Sequence, residues 1–129
     1  MTEIASLLHT LRDGDDLTAR YNAAVQIGYS GDDRAADMLT MLMRHADDWG
    51  IRQNAAWAAG QLRVKACLPA LHHLLMHDDD EQVCYVAALA IVRIDAAQLG
   101  AVVGSTDALR RIIGAAQRAA PYLVEQNRG

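Results

Sequence analysis

The segment WGIRQNAAWAAG, residues 49–60, decides the fold because its frame recurs 32 residues earlier and 32 residues later. The earlier copy, LTARYNAAVQIG, begins at Leu17, and the later copy, EQVCYVAALAIV, begins at Glu81. The same spacing relates three Ala-Ala pairs and several apolar and acidic positions: 23/24, 55/56 and 87/88; Leu7, Leu39 and Leu71; Leu11, Met43 and Leu75; Asp16, Asp48 and Asp80. A fixed period of this length indicates a stack of similar structural units.

Each unit contains two amphipathic helical patterns and an aspartate-rich turn. In the middle unit, apolar residues recur at the spacing of one helix face in both patterns: Ile51, Ala55, Ala58, Ala59 and Leu62, then Leu68, Leu71, Leu74 and Leu75. The patterns predict helices near 2–12, 16–28, 34–45, 49–63, 65–77 and 80–94, a short or broken one at 96–103, and a last one near 107–119. Pro121 is expected to end the final helix.

Charged residues at the predicted helix ends have structural explanations. An aspartate before each first helix is placed to accept hydrogen bonds from free backbone N–H groups and to suit the positive end of the helix dipole. His45 and His77 close the second helices, where a partly cationic ring suits the negative end. These residues are therefore expected to stabilise the repeat.

At these positions the sequence resembles the HEAT-like repeats of phycobilin lyases and of many small bacterial proteins. That family pattern has an acidic turn, a β-branched residue followed by Arg, two Ala, and then Ala-Leu-Gly. The middle unit supplies Asp47, Asp48, Ile51, Arg52, Ala55, Ala56, Ala58, Ala59 and Gly60; the first supplies Asp15, Asp16, Ala19, Arg20, Ala23, Ala24, Ile27 and Gly28. In the third unit Cys84 replaces the arginine and Val92 the glycine.

The resemblance and the repeat count imply an all-α, right-handed α-solenoid of about three HEAT-like helical pairs with capping helices. The core repeats cover about residues 5–100, and a divergent C-terminal cap covers about 101–129. A length of 129 residues predicts one domain, 1–129.

Composition excludes several classes of partner and location. Twelve basic residues against sixteen acidic ones give a net charge of −4, which argues against binding nucleic acid. No apolar run approaches the roughly 18 residues of a membrane span. The two cysteines are not in CxxC spacing, and the N-terminus MTEIASLLHTLRDGDD lacks an apolar signal region. The sequence therefore predicts a cytoplasmic protein that binds neither nucleic acid nor membrane.

Catalytic signatures are not recognisable in the sequence. GxGxxG, P-loop and GxSxG motifs are missing, as are the His-Glu dipeptides with which HEAT-like hydroxylases bind a di-iron centre. Cys67 and Cys84 occupy small-residue positions of packed helices and are interpreted as small hydrophobes. We expect no catalytic residue, no metal and no cofactor. The alternative is an enzyme or lyase-assisting subunit, metal-dependent through His72, His73 and His77, of which His73 and His77 stand one turn apart.

The favoured function is a non-catalytic protein-binding module: an adaptor, a regulator or an inhibitor of the immunity type. Trp57 is placed about 140° from the centre of its helix's apolar face, so it is expected to point outward. Stacked units align it with other apolar residues in a ridge on the first helices, with Trp49 at its edge: Tyr21, Val25, Tyr29, Trp57, Tyr85 and Leu89. Exposed apolar surface of this kind marks contact sites, and Trp and Tyr are favoured anchors.

Three occupants of this outer ridge remain open at the level of sequence. The C-terminal helix, with Leu109, Ile112, Ile113 and the tail 122–124, is one. A second copy of the chain in a homodimer and a different protein partner are the others. The alternative binding surface is the concave face formed by second helices: Asp37, Thr40, Met41, Arg44, His72, His73 and Met76.

Overall fold

The computed structural model describes residues 2–105 and 107–115, and it is built from helices. Their bounds are α1 Glu3–Asp13, α2 Leu17–Ser30, α3 Ala36–His45, α4 Trp49–Leu62, α5 Leu68–His77, α6 Glu81–Ile94 and α7 Leu99–Gly104. Residues 107–115 are also helical. Strands are not found in these residues. Each predicted helix up to residue 115 has an observed counterpart; the predicted continuation to 119, Pro121 and the tail 122–124 lie outside the described residues.

Each long first helix begins at a capping aspartate. Asp16 accepts a hydrogen bond from the backbone N–H of Ala19 at 2.6 Å, Asp48 accepts from Gly50 at 2.7 Å, and Asp80 accepts from Gln82 at 2.9 Å. These bonds satisfy donors that have no partner inside the helix. The capping role predicted for the aspartates is confirmed at all three positions.

The second helices are shorter and follow one turn of 3₁₀ helix. These turns span Asp33–Ala35 before α3, Lys65–Cys67 before α5 and Ala96–Gln98 before α7. Pro69 lies in the first turn of α5, where its missing N–H costs no helical hydrogen bond. Helices α3 and α5 end at His45 and His77, as predicted from the sequence.

The helices form two layers with the core between them. Helices α2, α4 and α6 pack side by side in chain order, and the second helices α3 and α5 pack on α4 and α6 and on each other. The largest fully buried side chains come from both layers and include Leu11, Ile27, Leu39, Met43, Leu71, Leu75 and Ile91. The predicted all-α repeat fold is confirmed.

Glycine permits close approach between neighbouring first helices. A Cβ atom on Gly60 of α4 would lie 2.7 Å from the Cβ of Ala90 on α6, and one on Gly28 of α2 would lie 2.7 Å from Trp57 Cζ3 on α4. Neither distance is compatible with a methyl group. The third unit has Val92 at the corresponding position. Glycine is therefore needed at positions 28 and 60, where the next first helix packs closely against the backbone.

Arginine side chains join each unit to the next. Arg20 donates from Nε to the carbonyl of Gly14 at 2.8 Å, and its Nη1 lies 3.7 Å from Asp48, in the aspartate-rich turn before α4. Arg52 contacts Asp78, in the aspartate-rich turn before α6, through Nε at 2.8 Å and Nη2 at 3.3 Å. The same guanidinium donates to the carbonyls of Ala46 and Asp47, which follow α3. The arginine of the repeat pattern is thus the polar link between modules.

The third unit has Cys84 instead of this arginine. Its polar link runs in the opposite direction, because the arginine belongs to the later helix. Arg111, in the helical residues 107–115, donates from Nη2 to Cys84 Sγ at 2.7 Å and from Nε at 3.1 Å. The thiol in turn donates to the carbonyl oxygens of Leu74 and Asp78. The helical residues 107–115 therefore pack beside α6.

Candidate protein-binding surfaces

The outer surface of α2 carries a continuous apolar stripe. Tyr29 is 70% exposed, Tyr21 is 60% exposed, and Val25 between them is half-buried. Leu17, one turn before Tyr21, is also exposed and extends the stripe to the start of the helix. Leu17 is absent from the ridge predicted from the sequence, although its i, i+4 spacing from Tyr21 places it on the same helix face.

Trp57 of α4 lies under this stripe. Its ring is half-buried, reaches Gly28 of α2 and meets Tyr29 edge to face with 5.9 Å between ring centroids. Such an arrangement is a favourable one for two aromatic rings. Trp57 is therefore on the outer layer, as expected, but it forms the floor beneath Tyr29 instead of projecting into solvent.

The ridge continues on α6 beyond a small depression. Leu89 is 51% exposed, while Tyr85 one turn earlier is half-buried. A cleft of about 80 Å³ separates α4 from α6 and is lined by Trp57, Gly60, Val86, Leu89, Ala90 and Arg93. The Arg93 guanidinium donates a hydrogen bond to the side-chain oxygen of Gln61. Trp49 is exposed at the start of α4, whereas the residues of α4 that line the cleft, Trp57 and Gly60, lie in the second half of the helix.

Helices α2 and α4 of the outer layer have almost no charge. From Leu17 to Ser30 the one charged residue of α2 is Arg20, and from Trp49 to Leu62 the one charged residue of α4 is Arg52. Both guanidinium groups are engaged in the links between modules. The exposed positions beside the tyrosines, such as Asn22 and Gln26, are polar and uncharged. Depletion of charge combined with exposed tyrosine is typical of protein interfaces.

The second-helix face, formed by the outward surfaces of α3 and α5, differs in chemistry. Exposed residues here include Asp37, Met41, Arg44 and His73, while Met76 is half-buried. The hydroxyl of Thr40 lies 3.7 Å from Cys67 Sγ, which engages it in the packing of α3 on the 3₁₀ turn before α5.

The three histidines predicted as an alternative metal cluster do not converge. His72 Nε2 lies 3.0 Å from Oε1 of Gln98, in the 3₁₀ turn before α7. The rings of His73 and His77 do come together, with centroids 5.0 Å apart. Across residues 2–105 and 107–115, no three His, Cys, Asp or Glu side chains are arranged to hold a metal ion.

Both cysteines are fully buried free thiols. Burial raises the pKa of Cys67, against the smaller effect of its contact with Thr40. Burial also raises the pKa of Cys84, although the Arg111 guanidinium acts in the opposite direction. A nucleophilic cysteine needs a lowered pKa and access for its substrate. The two thiols therefore behave as packing groups.

Stacked helical pairs, aspartate caps and arginine links between modules define the class of protein as a helical-repeat solenoid. The HEAT-repeat family profile matches residues 4–92, more than half of the chain, so the chain belongs to the HEAT-repeat family. Repeats of this family generally mediate protein–protein interaction. No curated protein shows a significant match to the sequence. In the part of the chain that the structure describes, none of the helices combines the length and apolar character needed to span a bilayer.

Proposed function

We propose that the protein is a non-catalytic binding module that docks another protein on its outer ridge, acting as an adaptor, regulator or inhibitor. The observation that carries this proposal is the outer surface of α2 and α4, which lacks free charge and presents two exposed tyrosines on α2. Tyr21 and Tyr29 stand more than half exposed where charged side chains ordinarily cover a helix. The ridge consists of Leu17, Tyr21, Val25, Tyr29, Trp57, Tyr85 and Leu89, with Trp49 at its edge.

The aromatic side chains of the ridge are already positioned for binding. A tyrosine has two side-chain torsions, so fixing it on binding costs little conformational entropy relative to the area it buries. Tyr29 is further restrained by the edge-to-face contact with Trp57. The helices beneath are held by a continuous core, so the surface needs little ordering on binding.

The described part of the C-terminal region supports an open ridge. Residues 107–115 pack beside α6 through Arg111 and Cys84, while Tyr21 and Tyr29 on α2 stay exposed. Leu109 and Ile113 are themselves exposed, and Ile112 packs against the core. These nine residues therefore do not cover the aromatic stripe, and we propose a separate protein as its occupant. We also propose a reducing compartment, the cytoplasm, because both thiols are free.

Affinity capture from the native host with ridge variants tests this function. Tyr29→Glu and Leu89→Glu each place a charge on an exposed position, so the fold is expected to survive and partner recovery to fall about tenfold or more. Met41→Glu is the matched control, because Met41 is exposed on the second-helix face. We expect its partner recovery to equal that of the unaltered protein.

Two outcomes would contradict the proposal. If both ridge variants keep the partner and Met41→Glu loses it, the binding face is the second-helix face. If light scattering shows a dimer that Tyr29→Glu converts to a monomer, the occupant is a second copy of the chain. Tyr29 is a better probe than Trp57, because a change at Trp57 also disturbs packing on Gly28.

A further inference from the structure

A polar groove lies between the ends of α3 and α5, away from the outer ridge. It has a volume of about 300 Å³ and is lined by Met43, Arg44, His45, Ala46, Asp47, Arg52, His73, Leu74, His77, Asp78 and Asp79. His73 and His77 occupy successive turns at the end of α5, and both are exposed to solvent. The helix-end role expected for His77 does not extend to His73, and the proposed docking of a protein on the ridge involves neither residue.

The separation of the two rings suits chelation of one metal ion. Their centroids are 5.0 Å apart, and the ring planes are tilted by 46°. A metal bound at about 2.0–2.1 Å by two imidazole nitrogens at a near-tetrahedral angle places the ring centroids roughly 5 Å apart. Both side chains are exposed, so their rings are free to rotate and direct a nitrogen toward a shared ion.

The surroundings of the pair favour a cation over an anion. The groove lies at the ends of α3 and α5, where the helix dipoles are negative. Arg52 is neutralised by its pair with Asp78. Arg44 also lines the groove, but two exposed carboxylates, Asp47 and Asp79, oppose it.

We propose that His73 and His77 form a two-histidine chelate for a divalent transition metal, with Cu²⁺ bound more tightly than Zn²⁺. Imidazole is a good ligand for both ions, and the order of affinity follows the general series for nitrogen ligands. Water fills the other coordination positions, in agreement with the lack of a third preformed ligand among the described residues. His72 is not part of the site, because it is engaged with Gln98 of the neighbouring turn.

Calorimetric titration of the untagged protein with Zn²⁺ alone and with Cu²⁺ alone tests the site. We expect one ion per chain, and His73→Ala or His77→Ala should each weaken binding by roughly tenfold or more. The copper complex should show two nitrogen ligands by electron paramagnetic resonance. Both residues are exposed, so circular dichroism of the variants should match the unaltered protein.

His9→Ala is the matched control. His9 is an exposed histidine on α1 with a carboxylate one turn away, since its Nδ1 lies 3.3 Å from Asp13. Its replacement should leave the affinity and the stoichiometry unchanged. The inference is overturned if the unaltered protein binds no more metal than the His73→Ala variant, or if His9→Ala weakens binding as much as His77→Ala does. Neither result bears on the outer ridge, which the capture experiment tests separately.

Discussion

Replacement of Arg52 by alanine is expected to be the most destabilising change among the links between modules. The Arg52 side chain is 15% exposed, and the Asp78 side chain that it contacts is 4% exposed. Removing the arginine leaves a buried carboxylate without its counter-charge, and loss of one partner of a buried pair typically costs about 3–5 kcal/mol. The pKa of Arg52 is raised chiefly by its hydrogen bond to Asp78, in agreement with a strong interaction.

Two features of the structure reduce this figure. Asp78 Oδ1 also accepts from the backbone N–H of Asp80 at 3.0 Å, so the carboxylate keeps one donor. Arg52 retains partial access to water, which screens the pair. We therefore expect Arg52→Ala to lower the free energy of unfolding by about 2–3 kcal/mol.

Arg20→Ala is the matched control at the corresponding position of the first module. Its Nη1 lies 3.7 Å from Asp48, whose side chain is 45% exposed. A pair of this kind contributes about 0–1 kcal/mol. The hydrogen bond to the Gly14 carbonyl adds a similar small amount, so the total expected loss is about 1 kcal/mol.

Urea denaturation followed by circular dichroism at pH 7 measures both losses. A double-mutant cycle with Arg52→Ala and Asp78→Ala should give a coupling energy of about 2 kcal/mol, because the two groups contact each other directly. A coupling energy below about 0.5 kcal/mol, or a loss for Arg52→Ala no greater than that for Arg20→Ala, would refute a stabilising ion pair between Arg52 and Asp78. Either result would mean that the arginine acts only by filling space.

Three further changes test the packing, the thiols and the caps. Gly60→Ala should lower the free energy of unfolding by about 1–3 kcal/mol, because the Cβ of the new alanine would collide with α6. Gly100 has open space around it, so Gly100→Ala should be neutral or stabilising in the same urea assay. Burial raises the pKa of Cys67 and Cys84 in the folded state, so their contribution to stability is intact below about pH 8.5 and declines as pH rises above it. Replacement of both cysteines by alanine should remove that part of the decline. An unchanged pH dependence of the free energy of unfolding would contradict this prediction. Asp48→Ala should cost about 1 kcal/mol through loss of the α4 cap, and an unchanged unfolding midpoint would show that the cap is dispensable.

The repeat could be predicted from the sequence because its signals are local or strictly periodic. Asp16, Asp48 and Asp80 recur at one spacing and act through backbone N–H groups two or three residues away. Their role follows from the chain itself, without knowledge of which helices are neighbours. The same holds for the apolar faces that form the core.

The features that the sequence could not supply depend on contacts between units. The direction of Trp57 follows from its helical position, but its partial burial depends on the space that Gly28 leaves on another helix. His73 and His77 were visible as a pair, whereas the separation of His72 required the contact with Gln98, 26 residues away. Arg111 was missed because it lies beyond the periodic segment and carries no repeat signature.

The link between Cys84 and Arg111 explains how a divergent helix follows the regular modules. In the first two links an arginine of one module reaches a carboxylate at the start of the next, 28 residues later for Arg20 and 26 later for Arg52. In the third link the small side chain is on the earlier helix and the arginine comes from 27 residues later. The separation along the chain is therefore similar in all three links, while the direction of the interaction is reversed in the third. Because a thiol fills less space than a guanidinium, Cys84 leaves room for Arg111 to enter, and the helical residues 107–115 dock without matching the repeat pattern.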